Sequence, residues 1–351
     1  MNMSYMMETE INSQGAIVEN LINRYVINYC VLMDIPLNIK RISIIASGSS
    51  YNAGVFGKYF FENISKISTS IDYASEVIGS KFDSFDTETL YVFLSQSGMS
   101  VDTVEAMKKV KDSGAKTLCI TNNLDSTMYQ LGDYRFYLDA GEEKAIAATK
   151  TYSATVVMLW LIALKIAQNK HIDVSNETKE IYSIRKSIEE SMKSFDNLEL
   201  SAKFLSKLDG FAIFGYGMYY PLALEAALKI RETSYINTSA YPSGEFVHGH
   251  FAVLNKTKAF VTFLTHDACD YELNILKKVL RTYKAKSIVV SDVYEDYDCD
   301  ILLKFQKGSS KIANILNMIV LIQILALNIA KKLKRNVDNP QGLIKIVESK
   351  E

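Results

Sequence analysis

Arg41-Ile42-Ser43-Ile44-Ile45-Ala46-Ser47-Gly48-Ser49-Ser50-Tyr51-Asn52-Ala53-Gly54 decides the fold of this chain. The first six residues are a short apolar, β-branched run of the kind that forms a buried strand, and the small residues that follow lead into helical spacing. Strand, small-residue turn and helix make a phosphate-binding geometry, because the turn permits close approach and a helix N-terminus offers unpaired N–H groups. Leu90 to Leu94 repeats the pattern and ends in Ser95-Gln96-Ser97-Gly98-Met99-Ser100, after which Val101 to Val110 has helical periodicity. Either loop alone reads equally well as a serine-rich turn capping a helix. Two such loops on successive strands favour a phosphate site, since serine hydroxyls and helix-start amides supply a dianion with many donors without a lysine.

Strands are expected at Thr117 to Ile120 and Tyr134 to Leu138, and Ala147-Ala148-Thr149-Lys150-Thr151 opens the helix that contains the sole tryptophan, Trp160. Then the series returns. Gly210 to Phe214 answers Arg41 to Ala46, Ala259 to Leu264 answers Leu90 to Leu94, Ser287 to Val290 answers Thr117 to Ile120, and Ile301 to Phe305 answers Tyr134 to Leu138. An offset that stays near ~168 residues marks a duplicated domain. The chain is therefore expected to form two tandem α/β sandwiches. The halves differ where chemistry would sit: Ser95-Gln96-Ser97-Gly98 is matched to Thr265-His266-Asp267-Ala268, whose acid would repel phosphate, and Gly48-Ser49-Ser50 to Tyr216-Gly217-Met218, without the hydroxyls. The first half is thus expected to hold phosphate and a site to lie between the halves.

The second half carries Leu228-Lys229-Ile230-Arg231-Glu232-Thr233-Ser234-Tyr235, followed by Ser243-Gly244-Glu245-Phe246-Val247-His248-Gly249-His250, with two of the four histidines. Leu222, Leu224, Ala226, Ala227 and Ile230 follow helical spacing, which puts Lys229 and Glu232 on one face. Taken alone the pair reads as a surface ion pair. The turn chemistry of Tyr241-Pro242-Ser243-Gly244-Glu245, which delivers His248 and His250, shifts the reading to an acid–base segment.

Composition narrows the classes. The 351 residues are 48% hydrophobic with a net charge of −1, enough for two domains and unsuited to nucleic acid. Cys30, Cys119, Cys269 and Cys299 are widely separated and suggest neither a disulfide framework nor a zinc site, which fits a reducing cytoplasm. No signal peptide is recognisable. Ile312 to Ala330 is apolar enough to resemble a membrane span, but Asn314, Asn317, Gln323 and Asn328 make it, with Thr151 to Ala167, a buried core or subunit-interface helix.

With these motifs in hand, the chain resembles the sugar isomerase (SIS) superfamily of phosphosugar-binding proteins, and within it the isomerase domain of the glucosamine-6-phosphate synthases, over nearly its whole length. Tyr5-Met6 with Glu10-Ile11, in an amphipathic helix expected from Tyr5 to Tyr25, adds to the likeness. The tail does too. On composition Asn336 to Glu348 is a frayed polar end, yet Asp338-Asn339-Pro340-Gln341-Gly342-Leu343-Ile344-Lys345 resembles the Asp-x-Pro-x-x-Leu-x-Lys ending of that group.

The resemblance implies two SIS domains, each a three-layer αβα sandwich around a mainly parallel, flavodoxin-like sheet. The expected organisation is a helical segment at 1–34, SIS domains at 35–170 and 200–335, a helical linker at 171–199 and an active-site tail at 336–351. Ser49, Ser50, Ser95, Gln96, Ser97 and Ser100 match phosphosugar-binding positions, and Ile146 and Tyr219 are candidates for the pocket wall. Lys229 and Glu232 match the charged pair at C1 and C2, His248 the ring-opening histidine, and Lys345 the tail lysine that can form a Schiff base with a ketose. In that group the histidine comes from the neighbouring subunit, so a homodimer is expected. Proton transfer between adjacent sugar carbons needs one base and nearby cations, and calls for no metal or cofactor; a metal site at His248 and His250 is the weaker thought.

The chain departs from the group's pattern at Met99, Ser100, Arg231 and His250, where glutamate, threonine, lysine and proline are usual. It starts at once with the isomerase-like portion, so glutamine is not expected as its ammonia source. The expected activity is an aldose–ketose isomerase or deaminase for a phosphorylated sugar or amino sugar. A deglycase of phosphorylated sugar–amino acid adducts and a non-catalytic phosphosugar sensor are the alternatives, the sensor disfavoured because no helix-turn-helix or basic domain precedes the first half.

Overall fold

The computed structural model describes residues 5–79, 85–255, 259–293, 295 and 297–345. They form two compact units. One comprises Ser13–Glu143, Ala148–Tyr182 and the tail from Ile344; the other comprises Ser183–Leu343, the N-terminal residues up to Asn12, and Lys144–Ala147.

In the first unit a small antiparallel hairpin, β1 (Val26–Ile27) with β2 (Cys30–Val31), precedes a five-stranded parallel sheet. Its strands are β3 (Arg41–Ala46), β4 (Ser68–Tyr73), β5 (Thr89–Leu94), β6 (Lys116–Thr121) and β7 (Tyr134–Tyr137), in the order β4-β3-β5-β6-β7. Side chains alternate across the pleat. Ile45, Phe93 and Cys119 face the helix Val101–Asp112 through Val104, Met107 and Val110, and burial pushes the Cys119 thiol up to about 12. On the other face Ile44 meets the helix Gly48–Asn63, where a Cβ on Gly54 would come within 2.7 Å of Ile71 and 2.9 Å of Ile44. That helix sits close to the sheet because glycine lets it.

The second unit repeats the plan with β8 (Gly210–Gly215), β9 (Asn237–Pro242), β10 (Ala259–Phe263), β11 (Lys286–Ser291) and β12 (Ile301–Lys304), ordered β12-β11-β10-β8-β9. Read from the other edge, this is the order of the first sheet, again all parallel. Phe214 stacks on Phe246 and Phe260 at ring distances of 4.7 and 5.3 Å, and this core continues into the helix Asp270–Thr282 through Ile275, Leu276 and Val279. Two tandem αβα sandwiches are what the repeat implied, and they are what the chain forms.

The two membrane-like runs are the helices Lys150–Asn169 and Lys311–Lys332, each with 89% of its apolar window buried inside protein. Two amides of the second bond to surrounding protein: Asn314 donates to Asp292 and accepts from the Gly308 N–H, while Asn317 donates to Ser187 and to the Gln306 carbonyl, its Oδ1 remaining buried without a partner among the described residues. A span facing lipid would have no such partners.

Several local expectations change. β4 and β9 were not expected, because Ser68–Tyr73 and Asn237–Pro242 are edge strands of mixed polarity. Tyr241 and Pro242 end β9 rather than sit in a turn, and Ser243–Phe246 is a short helix. The N-terminal helix is interrupted at Ser13 into Met6–Asn12 and Gln14–Tyr25. The helical linker expected at 171–199 is made of several short helices rather than one, and its Ile184–Ser191 helix buries Ile184 and Ile188. The matching of the two turns also shifts by one residue. Gly48 (φ +57°) and Gly217 (φ +53°) are the equivalent positions, each two residues beyond its strand in a conformation that favours glycine.

Candidate active site

Two loops lie at the carboxyl ends of neighbouring strands β3 and β5, where open α/β sheets bind ligands. After β3, the helix Gly48–Asn63 opens with Ser49 and Ser50 half-buried. After β5, Ser95 and Ser97 are buried and Ser100 caps the helix Val101–Asp112 without a side-chain capping bond. The Ser95 hydroxyl accepts from the Gly98 N–H at 3.1 Å, and the Ser97 hydroxyl accepts from the Met99 N–H at 3.2 Å. A serine oxygen that accepts a loop amide keeps its own O–H to donate. The Ser95 and Ser100 oxygens are 3.5 Å apart, so these two hydroxyls meet at one helix start, one donating to the other. The Gln96 carbonyl takes the Asn122 N–H and the Thr121 hydroxyl, which fixes the loop to β6, while the Gln96 side chain stays half-buried.

Gly98 is required at this turn. Its φ is +63°, and a Cβ there would lie 2.2 Å from Ser126 Oγ and 2.8 Å from Thr121 Oγ1. Ser47 donates to Asp102 Oδ2 at 2.6 Å, tying the loop after β3 to the helix after β5. Neither Ser47 nor Asp102 was singled out from sequence, since a serine before a glycine turn has no distinguishing signal. Met99, one of the departures, is part-exposed and its sulfur accepts from the Thr127 N–H at 3.3 Å.

In the second unit the helix Tyr220–Ser234 carries the charged segment. Lys229 and Glu232 do meet, at 2.5 Å, but the surface ion-pair reading fails: the Lys229 side chain is 1% exposed. It lies between two carboxylates, with Glu225, 0% exposed, at 3.6 Å one turn back. A buried ammonium persists only with such partners. Glu232 keeps 23% of its side chain exposed, so of the two acids it is the one that can reach a ligand. Glu225 was missed, although its i,i+4 spacing from Lys229 is a legible signal. Helix burial on nearly all sides hid it.

The segment after the helix does not bring His248 to this pair. His248 is exposed, and among the described residues its imidazole has no hydrogen-bond partner. His250 instead packs against the Tyr241 ring at 4.5 Å, with Glu245 4.0 Å away. Tyr219, the pocket-wall candidate, is held by Thr265 and Asp267, with burial raising its pKa. Burial alone would push Asp267 up, but its bonds from Thr265 and Tyr219 outweigh that and keep it below the usual carboxylate range. The second half thus carries an ionised acid at the end of its own strands. Ile146 is half-buried and donates its N–H to the Asp338 carbonyl at 3.1 Å, while the Asp338 carboxylate accepts from the Met6 and Met7 N–H groups.

Lys345 belongs to the first unit, where its ammonium lies 3.0 Å from Glu143 Oε2. The Glu143 side chain is 0% exposed. Burial raises its pKa, but the Lys345 cation, the Thr149 N–H and the Thr151 hydroxyl together draw it below the ordinary value. Glu143 was also missed, because nothing in Gly141-Glu142-Glu143-Lys144 separates it from a surface acid.

Comparison with known proteins agrees with this architecture. The SIS domain family matches residues 37–165 and 205–297. The glutamine–fructose-6-phosphate aminotransferase (isomerizing) of Campylobacter jejuni is 31% identical over 98% of this chain and 58% of its own length. That of Francisella tularensis is 33% identical over 88% of this chain and 52% of its own length. The chain thus spans a little over half the length of the curated relatives it matches. Among solved structures, the C-terminal domain of glucosamine-fructose-6-phosphate aminotransferase from Francisella tularensis superposes with a TM-score of 0.89 at 30% identity, covering 97% of this chain and 99% of that one. A glucosamine-6-phosphate deaminase from Thermotoga maritima shares the fold, with a TM-score of 0.78 at 22% identity over 98% of this chain and 100% of that one.

Proposed function

The chain belongs to the SIS domain family, and on that premise we propose that it is an enzyme that moves a proton between C1 and C2 of a phosphorylated sugar, glucosamine 6-phosphate or a close relative. The observation that carries this reading is the buried Lys229 between Glu225 and Glu232, with Glu232 alone partly open. Maintaining a desolvated cation beside an accessible carboxylate has no benefit for mere phosphosugar binding, whereas enediolate chemistry needs that pair.

In this reading the phosphate sits on the hydroxyls of Ser95, Ser97 and Ser100 and the helix start behind them, with Ser49, Ser50 and Gln96 adjoining. Glu232 takes the proton from one carbon and returns it to the next. Lys229 faces the oxygen on which negative charge develops. With an amine at C2, water then releases ammonia and leaves the ketose. The exposed imidazole of His248 supports a role in ring opening on a second copy of the chain, and the enzyme is accordingly read as a homodimer. The relatives' names, an aminotransferase that isomerises and a deaminase, fit the same substrate class. Four cysteines without a disulfide suit a cytoplasmic setting.

The test is a coupled assay for ammonia and fructose 6-phosphate from glucosamine 6-phosphate, run beside glucose 6-phosphate and a fructosamine 6-phosphate adduct. Ammonia from the amino sugar establishes a deaminase, and interconversion with glucose 6-phosphate an isomerase. Turnover of the adduct alone makes the protein a deglycase. Binding without any turnover makes it a sensor and overturns the enzymatic reading.

A further inference from the structure

We propose that Glu143 is the positioning residue of the C-terminal tail: its buried carboxylate docks the Lys345 side chain. The inference rests on the reading of Lys345 as an active-site lysine and goes beyond it, since the residue that seats that lysine has no counterpart in the motifs above.

Three observations carry it. First, the carboxylate is built in independently of the tail. Its Oε1 accepts from the Thr149 N–H at 2.9 Å and the Thr151 N–H at 3.1 Å, and its Oε2 from the Thr151 hydroxyl at 2.7 Å, all at the start of the helix Lys150–Asn169. Neutral donors orient a buried carboxylate but leave its charge unmatched, and such a group strongly favours a cation. Second, the cation present is Lys345, at 3.0 Å on Oε2. Third, the residues next to Lys345 are not seated by apolar burial: Val337 and Pro340 are buried further back in the tail, but Leu343 and Ile344 just before Lys345 remain 37% and 67% exposed.

The pKa of Glu143 is lowered in spite of burial, and the Lys345 cation is first among the causes that oppose burial. In the ion pair Lys345 can stabilise a nearby developing negative charge, and attack on a carbonyl to form a Schiff base first requires its release from Glu143.

Trypsin reads this dock directly, because cleavage after Lys345 requires the same side chain to enter the protease. Loss of the residues that follow Lys345, followed by intact mass, is expected to be about 10-fold faster in Glu143→Gln than in the wild-type chain at equal thermal midpoint. Glu143→Asp, which keeps the charge with a shorter reach and guards against a folding failure of the first variant, should fall between them. Equal cleavage in wild type and both variants would overturn the dock. Kinetics supply a second readout: Glu143→Gln should lower kcat on the true substrate about 10-fold with KM nearly unchanged, and Glu143→Asp should recover part of it. Unchanged kcat in both would overturn the positioning role. If wild-type protein turns over no phosphosugar at all, the enzymatic reading fails, while the proteolysis result still decides the dock.

Discussion

The Ser47 hydroxyl donates to Asp102 Oδ2 at 2.6 Å, joining the loop after the first strand of the sheet to the helix that follows its neighbour. Two loops that would each flex alone are thereby set in one geometry. Ser47→Ala should raise KM for the phosphosugar about 5-fold and leave kcat within about 2-fold, the net loss of one hydrogen bond being about 0.5–1.5 kcal/mol. Steady-state kinetics on the variant checks it, and a fall in kcat with constant KM would speak against a role in substrate seating.

Glu232→Gln removes the proposed base and keeps the shape. Turnover should fall by about 100-fold or more while phosphosugar binding, followed by thermal shift, stays near wild type. A variant that keeps its turnover would take Glu232 out of the chemistry.

Lys229→Met leaves Glu225, fully buried, beside an apolar chain. Breaking a buried pair from one side costs about 3–5 kcal/mol. The double variant Lys229→Met with Glu225→Gln should recover most of that loss, and chemical denaturation of wild type, both single variants and the double measures the coupling.

Two glycines separate backbone strain from crowding. At Gly48 (φ +57°) a Cβ meets nothing within 4 Å, so Gly48→Ala should cost only about 1–2 kcal/mol of backbone energy. At Gly98 (φ +63°) the Cβ would strike Ser126 and Thr121 as well. Gly98→Ala should therefore cost more than Gly48→Ala and abolish phosphosugar binding by displacing Ser95 and Ser97. Equal effects of the two changes, in thermal midpoint and in binding, would refute the crowding.

The pH dependence of stability isolates the Glu143–Lys345 pair. The folded pKa of Glu143 lies below its unfolded value, so the pair's contribution is complete above the unfolded pKa of about 4.3 and is lost as pH falls through the folded pKa. In Lys345→Gln the burial of Glu143 is no longer outweighed by a cation. The variant should be less stable by about 2 kcal/mol at pH 7, with the difference closing below about pH 4. Thermal midpoints of both proteins from pH 3 to 8 check the sign.

The sequence by itself determined the duplicated plan, the position of the two serine loops and the burial of the long apolar helices. Strands such as Arg41–Ala46 and Thr89–Leu94 are buried on both faces, so their apolar runs are continuous and their succession along the chain is legible without coordinates. Lys229 and Glu232 were legible for the same kind of reason, because helical spacing is local. Tertiary structure alone decided the rest. Whether Lys229 was a surface ion pair or a buried cation depended on what packs around Tyr220–Ser234, and the edge strands β4 and β9 carry too little apolar signal to declare themselves. Glu143 and Lys345 stand far apart in the chain, as Ser47 and Asp102 do more modestly, and no periodicity links them. A buried carboxylate acquires its meaning from the donors folded against it, and those donors are chosen by the three-dimensional fold rather than by their neighbours in sequence.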